Sequence, residues 1–334
     1  MNKILIRLLL LLPCVYGLVH SSLYYSLHYK NYVIEYNKKY DDKEYNYRLS
    51  VFSKNIDFID SENKKNHSFT LGLTRFSDIS NEEFRSSRLC GCSLVHNNNN
   101  NNNKHNNNNN NTRILLNKED IPESIDWRDK GIVNEIQDQI YCGSCWAFSA
   151  VSSCESVYAQ KTNKLLKVSE QQLVDCDHGN FGCSGGVVAW AFNYIKKIGL
   201  CSEESYPYVN REDECKSDSC DKILTISDSV NIAEGDGESL RIAISKQPVS
   251  LSLAAGTEFF HHYTSGILDS EECGTSINHA VVAVGYGKEN DKEYILIRNC
   301  WGKEWGENGY IRIAYQSSGL GICGINTQAT YPIA

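Results

Sequence analysis

A tract of asparagine divides this chain and limits what it can fold into more than any other feature. Residues 97–111 are all asparagine apart from Lys104 and His105. Such a stretch has no apolar surface to bury, so it predicts an exposed linker and not part of a core. Asparagine runs also favour aggregation, but an insertion tolerated in an exposed connection is the simpler interpretation. The chain is therefore expected to consist of two parts, one on each side of the linker.

The two parts carry opposite charge. Residues 1–120 contain 16 basic and 12 acidic side chains, a net charge of +4, whereas residues 121–334 contain 17 and 29, a net charge of −12. The 41% hydrophobic and 22% charged residues are ordinary for a globular protein and exclude wholesale disorder. The chain has no basic stripe that could neutralise phosphates, so nucleic acid is not expected as a partner.

The N-terminus has the pattern of a secretory signal peptide, assigned to residues 1–17. Lys3 and Arg7 give a basic start, residues 8–12 continue an apolar run, and residues 15–17 offer a site for signal peptidase. A membrane anchor would need about 20 apolar residues, and this run ends sooner. No later run is long and apolar enough to span a bilayer, so we expect a soluble protein that enters the secretory pathway.

Fourteen cysteines narrow the class of protein further. That number suits either a secreted disulfide protein or a metal protein, and the signal peptide favours the first. Cys142 and Cys145 form a Cys-x-x-Cys pair, which alone also fits a redox pair or half of a zinc site. Because the chain lacks a second such pair and its histidine spacing does not suit zinc, no metal and no other cofactor is expected.

Two helices are predicted before the linker, over residues 30–40 and 42–65, because these stretches contain little glycine and no proline. In the second helix, residues at intervals of three and four positions share one face: Glu44, Arg48, Phe52, Asn55, Ile59 and Asn63. Periodicity alone shows that this face packs on something and says nothing about chemistry.

That spacing resembles the ERFNIN pattern in the propeptides of cathepsin L-like cysteine proteases. Residues 72–78 resemble the second propeptide motif of that family, with Thr74 where asparagine is usual. After the linker, residues 121–128 are similar to the start of mature papain-like enzymes, and residues 139–149 to their nucleophile segment. The segments 278–280 and 298–302 match those that carry the other catalytic residues. From about residue 25 to its C-terminus, the chain resembles a papain-family zymogen nearest the cathepsin L branch.

The resemblance implies an α+β, papain-like two-lobed fold, a helical lobe plus a β-barrel-like lobe, preceded by a helical prosegment. Residues 18–120 would be an inhibitory propeptide that includes the linker, and residues 121–334 the mature peptidase domain. The residue pattern agrees, because helical signals dominate residues 145–200, with helices over 145–160 and 187–197. Alternating apolar segments follow later: residues 249–255, 279–287, 293–300 and 310–315. We expect the site in the cleft between the two lobes.

Cys145 is the expected nucleophile. Ser144 is a good N-cap residue, so Cys145 falls in the first turn of a helix, where the dipole favours a thiolate. By resemblance, His279 takes the proton of Cys145 and later protonates the leaving amine, while Asn299 orients the imidazole. Gln139 would help to bind the oxyanion of the tetrahedral intermediate.

The other aromatic and histidine residues have weaker assignments. Trp301 would cover the contact between His279 and Asn299, and plain core packing is the alternative. The remaining histidines are interpreted as surface or prosegment residues, among them His261 and His262.

The resemblance also implies the substrate contacts. Gly185 and Gly186 would leave room for an extended peptide to pair with the enzyme as a strand. By alignment, the pocket for the substrate residue one position before the scissile residue is formed by Val187, Val188, Ser252 and Ala280, with Gln328 near its floor. We expect this pocket to prefer Leu, Val or Phe and to tolerate Arg.

Three disulfides follow from the resemblance, and none includes Cys145: Cys142–Cys183, Cys176–Cys215 and Cys273–Cys323. Among the other cysteines we favour a fourth bridge, Cys201–Cys220, with two unpaired thiols as the alternative. Cys154 lies inside a predicted helix and is expected to be a small buried residue.

The expected reaction is hydrolysis of internal peptide bonds through an acyl-enzyme, after activation of the zymogen at acid pH. Proteins and peptides would be substrates, the propeptide an intramolecular inhibitor, cystatin-like proteins further inhibitors, and the enzyme a monomer. An inactive relative that acts as a binding protein and a Cys-x-x-Cys redox or zinc protein remain as competing hypotheses. Sequons at Asn66 and Asn110 predict glycosylation of the zymogen. Lysosomal and extracellular destinations both stay open.

Overall fold

The computed structural model describes residues 20–89, here called the N-terminal part, and residues 121–334, the C-terminal part. The predicted signal peptide, the asparagine linker and the sequon at Asn110 lie outside the described residues. None of the helices in these two ranges is long and apolar enough to cross a membrane.

The N-terminal part consists of three helices and one short strand: α1 (Ser22–Glu35), α2 (Asp42–Asn63), β1 (Phe69–Leu71) and α3 (Asn81–Arg88). The prediction of a helix over residues 30–40 was wrong at both ends, since α1 starts and ends earlier. The N-cap of α1 is Ser21, and Asn37 beyond its end has a φ of 47°. Tyr29 and Tyr32 pack their rings 5.1 and 4.9 Å from the Phe52 ring, so contact with α2 fixes the position of α1.

The face of α2 that the periodicity predicted holds the chain that follows it. Asn55 donates from Nδ2 to the carbonyl of Ser77 at 2.9 Å. Asn63 accepts from the N–H of Leu71 at 2.9 Å and donates to the Leu71 carbonyl at 2.7 Å. Arg48 forms ion pairs with Glu44 on its own helix and with Glu83 on α3. This face is therefore an internal scaffold of the N-terminal part.

The C-terminal part places most of its helices before most of its strands. The helices are α4 (Cys145–Thr162), α5 (Glu170–Cys176), α6 (Val188–Ile198), α7 (Gly237–Ile244) and α8 (Glu258–His261). The early strands are β2 (Ile125–Asp126), β3 (Leu200–Cys201), β4 (Lys222–Leu224) and β5 (Asp228–Ile232). The later strands are β6 (Val249–Leu253), β7 (Tyr263–Leu268), β8 (His279–Glu289), β9 (Lys292–Arg298), β10 (Tyr310–Ala314) and β11 (Gln328–Ile333).

One nine-stranded sheet joins both parts of the protein. Its order is β1-β7-β10-β9-β8-β6-β11-β5, with β2 beside β8. Only β7 and β10 run parallel, and the other pairs of described strands are antiparallel. Strand β1 pairs with β7 through Phe69 opposite Gly266 and Thr70 opposite Ser265. The N-terminal part thus adds an edge strand to the sheet of the C-terminal part.

Helix α4 is the central buried element, since its side chains from Cys145 to Val157 are all buried. Hydrogen bonds from two serine side chains, one on α4 and one on β6, attach this helix to the sheet. Ser149 donates to the carbonyl of Val281 at 2.8 Å, and Ser250 donates to the carbonyl of Ser149 at 3.0 Å. These bonds to β8 and β6 fix the start of α4 against the start of β8.

The predicted helix cap at Ser144 does not form. Ser144 precedes α4, but its φ and ψ of −93° and 13° turn its side chain away from the helix amides, and its hydroxyl lies 2.7 Å from that of Tyr208 instead. Ser169 does cap α5 by accepting from the N–H of Gln172 at 3.0 Å. The Gln172 side chain accepts from the N–H of Cys201 and does not return a bond to the backbone of Ser169.

Four disulfides link the described cysteines: Cys142–Cys183, Cys176–Cys215, Cys201–Cys220 and Cys273–Cys323. The first ties the loop before α4 to the loop before α6. Such cross-links contribute roughly 2 to 4 kcal/mol each, mainly by restricting the unfolded chain. Cys154 and Cys300 are buried and lie outside these bridges.

Candidate active site

Three side chains from different elements meet at the start of α4. Cys145 is the first residue of that helix, His279 is the first residue of β8, and Asn299 directly follows β9. Each is at most 1% exposed. The Cys145 sulfur accepts from the N–H of Ala280 at 3.5 Å, which places it beside the residue that follows His279.

The imidazole of His279 is held in one orientation. Its Nε2 lies 2.7 Å from Oδ1 of Asn299, which accepts the bond, and Oδ1 also accepts from the N–H of Cys300 at 2.8 Å. Nδ1 of His279 makes no hydrogen bond within the described parts of the chain. The tautomer fixed by Asn299 therefore leaves the Nδ1 lone pair for a proton from Cys145.

Gln139 is placed by a network of four bonds. Its Oε1 accepts from Nε1 of Trp301 at 3.0 Å and from the thiol of Cys300 at 3.1 Å. Its Nε2 donates to the carbonyl of Cys142 at 2.8 Å and to the carbonyl of Arg88 at 3.0 Å. The two bonds that Oε1 accepts fix the orientation of the amide. Its NH₂ group therefore faces carbonyl oxygens, here those of Cys142 and Arg88.

Trp301 lies against the catalytic side chains and not in the predicted substrate pocket. Its indole stacks on the imidazole of His279 with ring centroids 4.5 Å apart, and it is fully buried. This stacking keeps water from one face of the bond between His279 and Asn299.

Burial also sets the protonation state of the site. It lowers the pKa of His279 from 6.5 to about 4, and the bond to Asn299 opposes this only in part. A neutral imidazole is therefore favoured while the site is covered, because a cation there would lose its hydration.

The N-terminal part is what covers the site. The carbonyl of Arg88, the last residue of α3, accepts a hydrogen bond from the side-chain amide of Gln139. The rings of Phe76 and Phe84 pack edge-on against Trp301, with centroids 6.0 and 5.1 Å away. A substrate carbonyl cannot reach Gln139 until this segment leaves.

A cavity of about 350 Å³ contains four of the predicted pocket residues, Val187, Val188, Ser252 and Gln328. Ser252 donates to Oε1 of Gln328 at 3.0 Å, so the amide tip is held across the cavity. Ala280, Gly185 and Gly186 do not line it. The carboxylate of Glu234 does, and sequence reasoning missed it because Glu234 lies in a polar loop with no motif.

The two predicted glycines are required for different reasons. Gly185 has a φ of 119°, a region that other residues rarely adopt. A Cβ atom on Gly186 would lie 2.6 Å from both the Trp146 ring and the Asn180 side chain. Both positions therefore exclude larger residues from this side of the cleft.

The assignment of His261 and His262 to the surface was wrong, since both are fully buried. His261 donates from Nε2 to the carbonyl of Phe76 at 2.9 Å and stacks on the Phe84 ring at 4.2 Å. Nδ1 of His262 lies 3.3 Å from the hydroxyl of Ser77. Their cover comes from a segment about 185 positions earlier, which no local pattern could reveal.

The zinc and redox hypotheses find no support at this site. Cys142 is bonded to Cys183 and not to Cys145. In the described ranges, no group of three or more His, Cys, Asp and Glu side chains is placed to hold a metal ion.

Comparison with known proteins agrees with this geometry. The family "Papain family cysteine protease" matches residues 121–333, and "Cathepsin propeptide inhibitor domain (I29)" matches residues 29–84. Cysteine proteinase RD21A of Arabidopsis thaliana is 42% identical over 86% of this chain, which spans 61% of that protein. KDEL-tailed cysteine endopeptidase CEP2 of Arabidopsis thaliana is 41% identical, over 86% of this chain and 80% of that protein. The structure of a recombinant stem bromelain precursor superposes with a TM-score of 0.83 at 35% identity, covering 92% of this chain and 98% of that one.

These matches define the class of the protein. The chain belongs to the papain family of cysteine proteases. It carries that family's inhibitory propeptide ahead of the peptidase domain, so residues 20–89 are from here on called the prosegment. The predicted α+β, papain-like fold with a helical prosegment is confirmed.

Proposed function

We propose that this protein is an endopeptidase zymogen whose mature form hydrolyses peptide bonds with Cys145 as nucleophile. The observation that carries the proposal is the 2.7 Å bond between His279 and Asn299. It fixes the imidazole with Nδ1 left to accept a proton, and the residue after His279, Ala280, contacts the Cys145 sulfur through its N–H. Family membership alone would also fit an inactive relative, whereas this bond supports a working base.

The reaction follows from the placement of each group. The Cys145 proton passes to Nδ1 of His279, and the thiolate attacks the substrate carbonyl carbon to form a tetrahedral intermediate. The imidazolium then gives its proton to the leaving amine as the C–N bond breaks, which leaves an acyl-enzyme. A water molecule, deprotonated by the same imidazole, hydrolyses the thioester and restores Cys145.

The oxyanion would be bound by two donors. One is Nε2 of Gln139, already fixed by Trp301 and Cys300. The other is the backbone N–H of Cys145, the first residue of α4, at the helix end where a negative charge is favoured. Removing one such donor commonly costs a factor of about 10² to 10³ in rate.

Substrate selection is assigned to the cavity between α6 and β11. Its Val187, Val188 and Leu251 side chains favour Leu, Val or Phe in the substrate. The Glu234 carboxylate disfavours an acidic side chain and would accept a basic one.

The propeptide and the signal pattern indicate how the enzyme would be made and activated. Residues 18–120 would form the removable propeptide, with the mature chain starting at or near Ile121 and acid pH releasing the prosegment. Entry into the secretory pathway is supported by the signal pattern of residues 1–17 and by the similarity to a KDEL-tailed endopeptidase. Asn66 is exposed and could carry a glycan. We assign the enzyme to the lysosome or the exterior, as a monomer open to cystatin-like inhibitors.

Titration of the mature enzyme with an epoxysuccinyl thiol inhibitor tests the proposal. We expect one inhibitor per molecule, complete loss of peptidase activity, and the label on the peptide that contains Cys145. Cys145→Ala should take up no label, and Cys154→Ala, a change at another buried thiol of the same helix, should be labelled like the wild type. An unlabelled, inactive mature protein would favour the binding-protein hypothesis. Equal labelling of Cys142 and Cys145 after mild reduction would favour a redox pair.

A further inference from the structure

The loop of residues 138–141 holds the side chain of Arg88 in the zymogen. Nη1 of Arg88 donates to the carbonyl of Ile140 and lies 3.8 Å from Oδ1 of Asp138. The guanidinium carbon lies 4.8 Å from the centroid of the Tyr141 ring. A carbonyl, a carboxylate and an aromatic face are three groups that attract a planar cation. The Arg88 side chain is only 4% exposed, and the prosegment's own Phe76 ring, 4.9 Å from the guanidinium carbon, shares in covering it.

The loop is shaped for this contact at some cost to its backbone. Ile140 has a φ of 55°, which is a genuine outlier for a β-branched residue. The side chain of Asp138 stabilises that conformation by accepting from the N–H of Ile140 at 2.9 Å. Strain of this kind persists where the surrounding structure enforces it, commonly at binding sites.

The loop lies on the leaving-group side of the catalytic centre. Asp138 forms a β-bridge with Trp301, and Trp301 stacks on His279, the group that protonates the leaving amine. None of residues 138–141 lines the cavity that contains Ser252 and Gln328, to which we assign the acyl side of the substrate. The carbonyl of Arg88 itself accepts from the amide of Gln139, to which we assign the oxyanion, so the Arg88 side chain extends from a residue that lies next to the catalytic centre.

Removal of the prosegment takes away the two arginine side chains that contact this loop. Arg75 also pairs with Asp138, and both arginines belong to the prosegment. The nearby Lys303 is paired with Glu135 and does not replace them. The Tyr141 ring is already 73% exposed in the zymogen.

Resting on the proposed function, we propose that Asp138, Ile140 and Tyr141 form a subsite of the mature enzyme that selects an arginine side chain on the leaving-group side of the scissile bond. Arg88 is its occupant in the zymogen. Arginine fits better than lysine, because a planar guanidinium can stack on the Tyr141 ring while it donates to the Ile140 carbonyl.

Internally quenched peptides that differ in one side chain test this subsite in the mature enzyme. The acyl side stays constant, and the first or the second leaving-group position carries either arginine or citrulline, its uncharged isostere. At one of these positions we expect kcat/KM to favour arginine by about tenfold. Tyr141→Ala should reduce that ratio to below about threefold, and Asp138→Asn should also reduce it. Phe181→Ala, which removes an exposed aromatic ring beside Trp190 of the acyl-side cavity, is the matched control and should leave the ratio unchanged.

The outcomes separate this inference from the proposed function. Equal cleavage of arginine and citrulline peptides at both positions by the wild type would overturn the subsite and leave the peptidase assignment intact. An unchanged ratio in Tyr141→Ala would also overturn it. Failure to cleave any peptide, together with no labelling of Cys145, would refute the proposed function and the subsite with it.

Discussion

Protonation of the buried pair His261 and His262 is expected to release the prosegment at acid pH. The groups that face the pair within the described residues include the Phe76 carbonyl, the Ser77 hydroxyl and the rings of Phe58, Phe76 and Phe84. Each of them belongs to the prosegment, and none carries a charge. Docking therefore removes both imidazoles from water without offering either of them a counter-ion.

The pKa values of both histidines are depressed by docking. Burial lowers the pKa of His261 from 6.5 to about 4. Burial also lowers the pKa of His262 well below its usual range, and charge on His261 would lower it further. Nδ1 of His261 and Nε2 of His262 have no hydrogen-bond partner in the described chain, so an added proton there would be unsatisfied.

The sign and size of the effect follow from linkage. Undocking exposes the rings, so the free state takes up protons below about pH 6.5, whereas the docked state does so only near pH 4. Docking is thus fully favourable at neutral pH and weakens as pH falls between these values. For His261 alone, the loss at pH 5 is about 2 kcal/mol, or roughly 30-fold in the docking equilibrium.

Hydrogen exchange of the full-length Cys145→Ala zymogen measures this directly. After correction for intrinsic rates, protection of residues 69–89 should fall about 30-fold or more between pH 7 and pH 5. His261→Gln keeps a donor for the Phe76 carbonyl but cannot take up the proton, so its protection should fall much less. His178→Gln, a change at an exposed histidine, is the control. Superimposable pH curves for His261→Gln and the parent would refute the histidine mechanism, leaving ion pairs at Asp138 or an external protease as the explanation.

Three further changes test the site. Cys300→Ser should keep kcat/KM within about threefold, or about 0.7 kcal/mol, because a hydroxyl can replace the thiol as donor to Gln139. Cys145→Ser should abolish turnover. A large loss of activity in Cys300→Ser, together with a newly titratable thiol, would reveal an unforeseen disulfide. Gln139→Ala should lower kcat by about 10² with a smaller effect on KM, since it removes an oxyanion donor, and an unchanged kcat would contradict that role. A peptide library should rank Leu, Val or Phe first at the residue before the scissile one, and acidic residues ranked first would overturn the pocket assignment.

The parts of this fold that the sequence predicts are those with a local pattern or a family motif. The spacing of three and four residues on α2 identified a face that holds the following segment, as the hydrogen bonds of Asn55 and Asn63 show. The segments around Cys145, His279 and Asn299 carried motifs, and the structure brings these side chains together. The start of α1 was missed although its signal is local, because Ser21 caps the helix by accepting from the N–H of Tyr24. The contacts of Tyr29 and Tyr32 with Phe52 then hold the helix on α2, which is a tertiary effect.

The residues that sequence reasoning missed owe their roles to the interface between prosegment and enzyme. Histidines are normally at least partly exposed, whereas His261 and His262 are buried in the zymogen, where the prosegment groups of Phe76, Ser77 and Phe84 contact them. Propensity likewise argues against a left-handed conformation at Ile140, which persists because Asp138 and Arg88 bind its amide and carbonyl. In both features a prosegment group, the Phe76 carbonyl or the Arg88 side chain, contributes to the latent form. We therefore expect the interface that covers the active site to weaken when His261 and His262 are protonated. The same interface presents Arg88, the type of side chain that we expect the freed enzyme to select.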